Sequence, residues 1–305
     1  MGGGGGGGYT GMTDIRRDML KKAQDTERET LNARIDEFLA DKLVAANARD
    51  SDEMRDRIKR IAEILGEAAE VEQTLYGGSV GKHTAVEGIS DVDVLAILDN
   101  GTALNRSPKE FLAAFAKELH TKLSHADIES VTPGTLAVTI KYRDGSEVQV
   151  LPSVRKGTQL MIATKDGRKW TQTAPKAFRD ALTRANEKTN GQLVRVVKLY
   201  KVMNDRLPAQ KQLSGYHIET LAIEAAKNYA GPFTPRTFLS RFLEVSSERV
   251  LSPVSDVTKQ SRHVDNYLGR KDSVERRNVA QTLLGLKRRL DAATSLGEWK
   301  AVFGE

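Results

Sequence analysis

The chain has 305 residues, 39% apolar and 29% charged, with a net charge of +6; this balance describes a globular protein of one large or two modest domains and excludes fibrous and low-complexity classes. With no cysteine, disulfides, thiolate metal sites and a cysteine nucleophile are excluded, and a cytoplasmic location is expected. No basic-then-apolar leader and no apolar run of about 18 residues occur, so no membrane association is expected.

Gly2 to Gly8 form a glycine tract that cannot bury surface, and residues 1–11 are expected to be a disordered tail. From Met12 to about Ala46, Ile15, Met19, Leu31, Ile35, Phe38, Leu39 and Leu43 recur at helical spacing among charges, which predicts a long amphipathic helix. Its apolar face is expected to pack on the protein's own lobes, with a regulatory protein partner as the alternative. Asp50-Ser51-Asp52 offers a start for a second helix carrying Ile58, Ile61 and Leu65. That helix leads into Val71 to Tyr76, readable as helix or strand, and a glycine pair. Val92, Leu95 and Ile97 mark a strand ending at Asp99-Asn100-Gly101, and Pro108 to Leu123 a helix with Phe111, Phe115 and Leu119 on one side. Leu136 to Tyr142 and Glu147 to Leu151 flank Arg143-Asp144-Gly145-Ser146 and read as a hairpin. After about Pro175 the pattern is helical, including Leu193 to Asn204, His217 to Tyr229, Pro235 to Val245 and Ser273 to Ala293. The expected class is α+β in front and helical behind: N-terminal helices over 12–70, a mixed unit over 71–178 and a helical lobe over 179–305.

Chemistry concentrates between Tyr76 and Leu95. Gly77-Gly78-Ser79 is a glycine-dense turn where backbone N–H groups can approach an anion and the Ser79 hydroxyl can add a donor. Asp91 and Asp93 stand two apart on the predicted strand, so both carboxylates project from one face and can hold hard cations. Side by side they repel unless a cation neutralises them. A solvated edge-strand pair is the plain alternative for the acids, and an ordinary loop for the glycines. The basic balance suits a polyanionic ligand, and an aromatic content of 6% gives little support for a stacking platform along single-stranded nucleic acid.

Gly78-Ser79 followed by Asp91-Val92-Asp93 resembles the signature of the polymerase-β nucleotidyltransferase superfamily. Leu193 to Lys201, Ser214 to Leu221 and the closing Trp299 to Gly304 are similar to the helical-lobe motifs of the bacterial cyclic-oligonucleotide synthases of CBASS anti-phage defence, relatives of cyclic GMP-AMP synthase and oligoadenylate synthase. The similarity covers roughly residues 55 to 305. It implies a polymerase-β-like palm, a mixed sheet flanked by helices, with a C-terminal helical lobe and a long N-terminal helix. It also implies nucleoside triphosphates as substrates, Mg²⁺ or Mn²⁺ held by Asp91 and Asp93, and a cyclic product that signals to a downstream effector.

By the same resemblance Gly78 and Ser79 grip the triphosphate, Lys201 approaches it with Lys198 one turn earlier, Tyr216 stacks on a base and His217 is structural. Two positions depart from the pattern. Val148-Gln149-Val150-Leu151-Pro152 puts Gln149 where most relatives carry a third catalytic carboxylate, which leaves three possibilities: Glu147 substitutes from the same strand face, two acids suffice, or the protein binds nucleotide without turnover. His83 stands where relatives often have glycine. Transfer of nucleotides to RNA or to a protein remains the other enzymatic reading.

Overall fold

The computed structural model describes residues 9–47, 51–67, 71–76, 78–86, 92–98, 101–123, 127–164, 166–255, 257–258 and 264–305. Two helices open the chain, α1 (Tyr9–Asn47) and α2 (Ser51–Glu67). They are followed by β1 (Val71–Tyr76), β2 (Val92–Leu98), α3 (Pro108–Lys122), β3 (Ile128–Pro133), β4 (Val138–Tyr142), β5 (Glu147–Lys156), β6 (Gln159–Ala163) and β7 (Trp170–Thr173). The rest is helical: α4 (Pro175–Lys188), α5 (Gln192–Asp205), α6 (Gly215–Ala226), α7 (Pro235–Arg249), α8 (Val274–Ala292) and α9 (Leu296–Val302). The α+β class with a helical second half is as the sequence pattern predicts. Among the described residues no helix is long and apolar enough to cross a membrane.

The sheet runs β1-β2-β5-β4-β3, with β6 on β5 and β7 on β6. Among the described strands only β2 and β5 are parallel, in a register that sets Asp93 beside Gln149. The other pairings are antiparallel. Val71–Tyr76, ambiguous in the sequence, is thus a strand against β2. The predicted hairpin is β4 and β5, with Gly145 at φ 86 in its turn, a left-handed conformation that glycine adopts without steric cost. Arg57 of α2 bonds Asp144 at 2.9 Å and lies 4.2 Å from the centre of the Tyr142 ring, tying α2 to that hairpin.

Alternation along the strands sends Val94, Ala96 and Leu98 with Val148 and Val150 to one face, where they meet Ile58, Ile61 and Leu65 of α2 and Phe111, Phe115 and Leu119 of α3. α3 starts where Ser107 and Glu110 form a capping box with Pro108 in the first turn, which satisfies backbone donors that a helix end leaves unpaired. The opposite face, bearing Asp93 and Gln149, looks toward the helical half. That half has its own core around Val196, Tyr200, Leu221, Phe238, Phe242 and Phe303.

The apolar stripes of the two front helices enter different cores. Ile35, Phe38 and Leu39 of α1 are buried in the helical core, with Phe38 edge-on to Phe303 at 5.4 Å. α2 belongs to the sheet. Self-packing accounts only for the second half of α1: Ile15, Met19 and Leu20 are 60%, 67% and 60% exposed.

Candidate functional site

The loop between β1 and β2 folds back on itself: Thr84 N–H donates to Ser79 O at 2.9 Å and His83 N–H to Val80 O at 3.0 Å. Gly78 lies at φ 50, and a Cβ placed on it would fall 1.5 Å from Asp93 Oδ2. Glycine is therefore required twice, for the left-handed backbone and for the approach to the carboxylate. Gly78→Ala is expected to lose on the order of 1–3 kcal/mol of stability through strain and displacement of Asp93. Urea denaturation measures this, and an unchanged midpoint would contradict the close approach. His83 also takes a positive φ, 59, a left-handed conformation that glycine adopts more readily than histidine.

Gly78, Ser79, Asp93 and Gln149 form one side of a cleft of about 440 Å³. Lys201 and Asp205 of α5, Gln212, and Tyr216 and Glu219 of α6 complete it from the helical half. Of the residues expected from the sequence, the structure brings together Gly78, Ser79, Asp93, Gln149, Lys201 and Tyr216. Asp91 lies outside the described residues. Lys198 is not among the lining residues: its ammonium donates to Asn47 at the end of α1, and burial lowers its pKa. One turn of α5 thus separates a lysine covered by α1 from one that faces the cleft. Glu147 is paired in register with Lys141 on β4 and does not line the cleft either.

Sequence reasoning passed over Lys82 and Glu219. Glu219 is completely buried, accepts the Thr84 hydroxyl, pairs with the Lys82 ammonium and lies 3.7 Å from the Lys201 ammonium. Lys201 also donates to Thr84 O at 2.9 Å, and its pKa is lowered by burial, an effect that Glu219 partly opposes. Lys82 lies 5.2 Å from the centre of the Phe178 ring and 5.6 Å from that of Tyr216, and the two rings stand 4.6 Å apart. A usable signal was present: a lone carboxylate in the apolar run Ile218-Glu219-Thr220-Leu221-Ala222 must find buried cations, since unpaired charges are rarely tolerated there.

Behind α6, His217 is fully buried, with Nδ1 2.9 Å from the Tyr267 hydroxyl. Burial pushes its pKa down to about 4, so it is neutral near pH 7. The same hydroxyl accepts the N–H of Ser214, whose own side chain caps α6. Buried Arg276 holds Asp265 at 2.7 Å and several backbone carbonyls. This network fixes the end of α6 from which Tyr216 reaches the cleft.

Residues 30–186, just over half of the chain, match the family described as the Second Messenger Oligonucleotide or Dinucleotide Synthetase (SMODS) domain. The chain belongs to the SMODS family. Among solved structures, this SMODS protein is similar to E. coli MS115-1 CdnC with ATP, with a TM-score of 0.67 at 16% identity over 83% of this chain and 92% of that one. Bradyrhizobium diazoefficiens CD-NTase CdnG in complex with GTP gives a TM-score of 0.66 at 14% identity, over 88% and 95%. Vibrio cholerae DncV cyclic AMP-GMP synthase with the linear intermediate 5′ pppA(3′,5′)pG gives 0.60 at 13%, over 94% and 91%. These likenesses establish the polymerase-β-like nucleotidyltransferase fold. No curated protein sequence matches the chain significantly. The family match stops before α5, so for Lys201, Tyr216 and Glu219 the comparisons supply fold alone.

Proposed function

We propose that this SMODS protein joins nucleoside triphosphates into a cyclic oligonucleotide second messenger that acts on an effector in anti-phage defence. The observation that carries the reading is the seating of Gly78 against Asp93 in a cleft that also receives Lys201 and Tyr216. A backbone turn and cations suit a triphosphate, and a carboxylate beside them suits a hard cation. The ATP, GTP and linear dinucleotide named with the similar structures agree with such a ligand.

Asp93, with the amide oxygen of its neighbour Gln149, offers the oxygen donors that Mg²⁺ or Mn²⁺ prefers, and Asp91 would add a second carboxylate. Bound Mg²⁺ would supply charge neutralisation and polarisation at the reacting phosphate. The chain's own groups do the rest. The Gly78-Ser79 turn and Lys82 with Lys201 hold the triphosphate, while Tyr216 offers a ring face to a base.

Incubation with four labelled triphosphates and Mg²⁺ is expected to give a small, phosphatase-resistant product identified by mass spectrometry. Label transferred to RNA or protein would overturn the reading in favour of the other enzymatic one. Gln149 favours a second reading, a nucleotide-binding protein of impaired turnover, because a neutral amide lowers the charge available to a cation. Gln149→Glu separates the two: turnover that appears only in this variant supports impairment.

A further inference from the structure

We propose that Asp205 and Gln212 read the hydrogen-bonding edge of guanine, making a guanosine triphosphate one substrate of the cleft. This inference rests on the triphosphate reading above and adds the identity of a base. Beyond Lys201, the cleft is lined by Asn204 and Asp205 at the end of α5 and by Gln212 on the following connector. Asn204 is spent on the fold: its amide donates to Leu213 O at 3.0 Å and accepts Leu213 N–H at 2.7 Å.

Gln212 is committed at one end only. Its NH₂ donates to Asp205 O at 3.1 Å and to Leu207 O at 2.8 Å. Both partners are acceptors, so the amide orientation is fixed by chemistry, and Oε1 is the end left for the cleft. The exposed Asp205 carboxylate has no hydrogen-bond or ion-pair partner among the described residues. Lys201, one turn earlier, takes Glu219 as its counter-charge instead. An ionised carboxylate accepts and never donates, so Asp205 and Gln212 together present acceptors alone.

That pattern discriminates among bases. Guanine offers two adjacent donors, the N1–H and the 2-amino group. Adenine and cytosine set one amino donor beside a ring-nitrogen acceptor, and uracil has a single N–H between two carbonyls. Only guanine satisfies neighbouring acceptors without leaving one facing another acceptor, and mismatched polar groups are what a hydrogen-bonding site rejects most strongly. Tyr216 lines the same cleft and supplies the ring face such a base stacks on.

The test is calorimetric titration of the intact protein, in Mg²⁺, with GTP, ITP and ATP. ITP keeps the N1–H and lacks the 2-amino group. GTP is expected to bind about tenfold tighter than ITP and tighter still than ATP, as for loss of one hydrogen bond of a bidentate pair. Asp205→Asn, on an exposed side chain whose loss leaves the fold intact by thermal denaturation, is expected to erase the preference for GTP over ATP. Equal wild-type affinities, or a preference that survives Asp205→Asn, would overturn the inference while leaving triphosphate binding in place. Binding of none of the three would overturn the triphosphate reading itself and this inference with it.

Discussion

Asp93→Asn is expected to abolish product formation, by about 10³-fold or more, while the protein stays folded. The Asp93 carboxylate sits under the Gly78 backbone with no space to spare, and asparagine keeps its shape, so the loop above it need not move. What changes is charge. Asp91 stands two residues away in the sequence, and paired carboxylates are a liability without a cation, so stability is expected to hold or rise slightly. Asp93→Glu makes the complementary test: it keeps the charge but adds a methylene where Gly78 leaves no room. It is expected to lose turnover and, unlike Asp93→Asn, stability as well. Product analysis by mass spectrometry with thermal denaturation of both variants checks this. Wild-type turnover in Asp93→Asn would remove the carboxylate from the mechanism.

The elements legible in the sequence were those with strong periodicity or unmistakable punctuation. Phe111, Phe115 and Leu119 marked α3, and Asp144-Gly145 marked the hairpin of β4 and β5. Strands β3, β6 and β7 went unmarked because they are short and only partly buried, and lack alternation strong enough to stand out. The division of α1 and α2 between two cores depends on tertiary packing, which the spacing of Ile35, Phe38 and Ile58 cannot reveal. At the site, Gly78, Ser79 and Asp93 were local in sequence and therefore readable. The placement of Lys198 was not, since it turns on Asn47, which is far away in the chain. Lys82 and Glu219 are likewise far apart, 137 residues along the chain, and only the fold makes them partners.

That pair sets the second large effect. Glu219→Ala is expected to destabilise the protein by about 3–5 kcal/mol, the cost of leaving buried charge without its partner. Lys201, only 5% exposed, would lose its one counter-charge among the described residues, Lys82 would lose its ion pair, and the Thr84 hydroxyl would lose its acceptor. Glu219→Gln preserves an acceptor for Thr84 and is expected to cost less. Adding Lys82→Met to Glu219→Gln is expected to recover part of the loss, because removing both partners of a buried pair is milder than removing one. Urea denaturation of the three variants reads this, and a change within about 0.5 kcal/mol in Glu219→Ala would place the residue among ordinary surface positions. Activity supplies an independent reading. Burial lowers the Lys201 pKa and Glu219 raises it in part. Without that carboxylate the pKa falls further, and Lys201 loses its proton at a lower pH. If its charge holds the triphosphate, the alkaline limb of the activity profile in Glu219→Gln must move to lower pH. A limb that stays in place would mean that Lys201 braces the junction of the two halves and does not hold substrate.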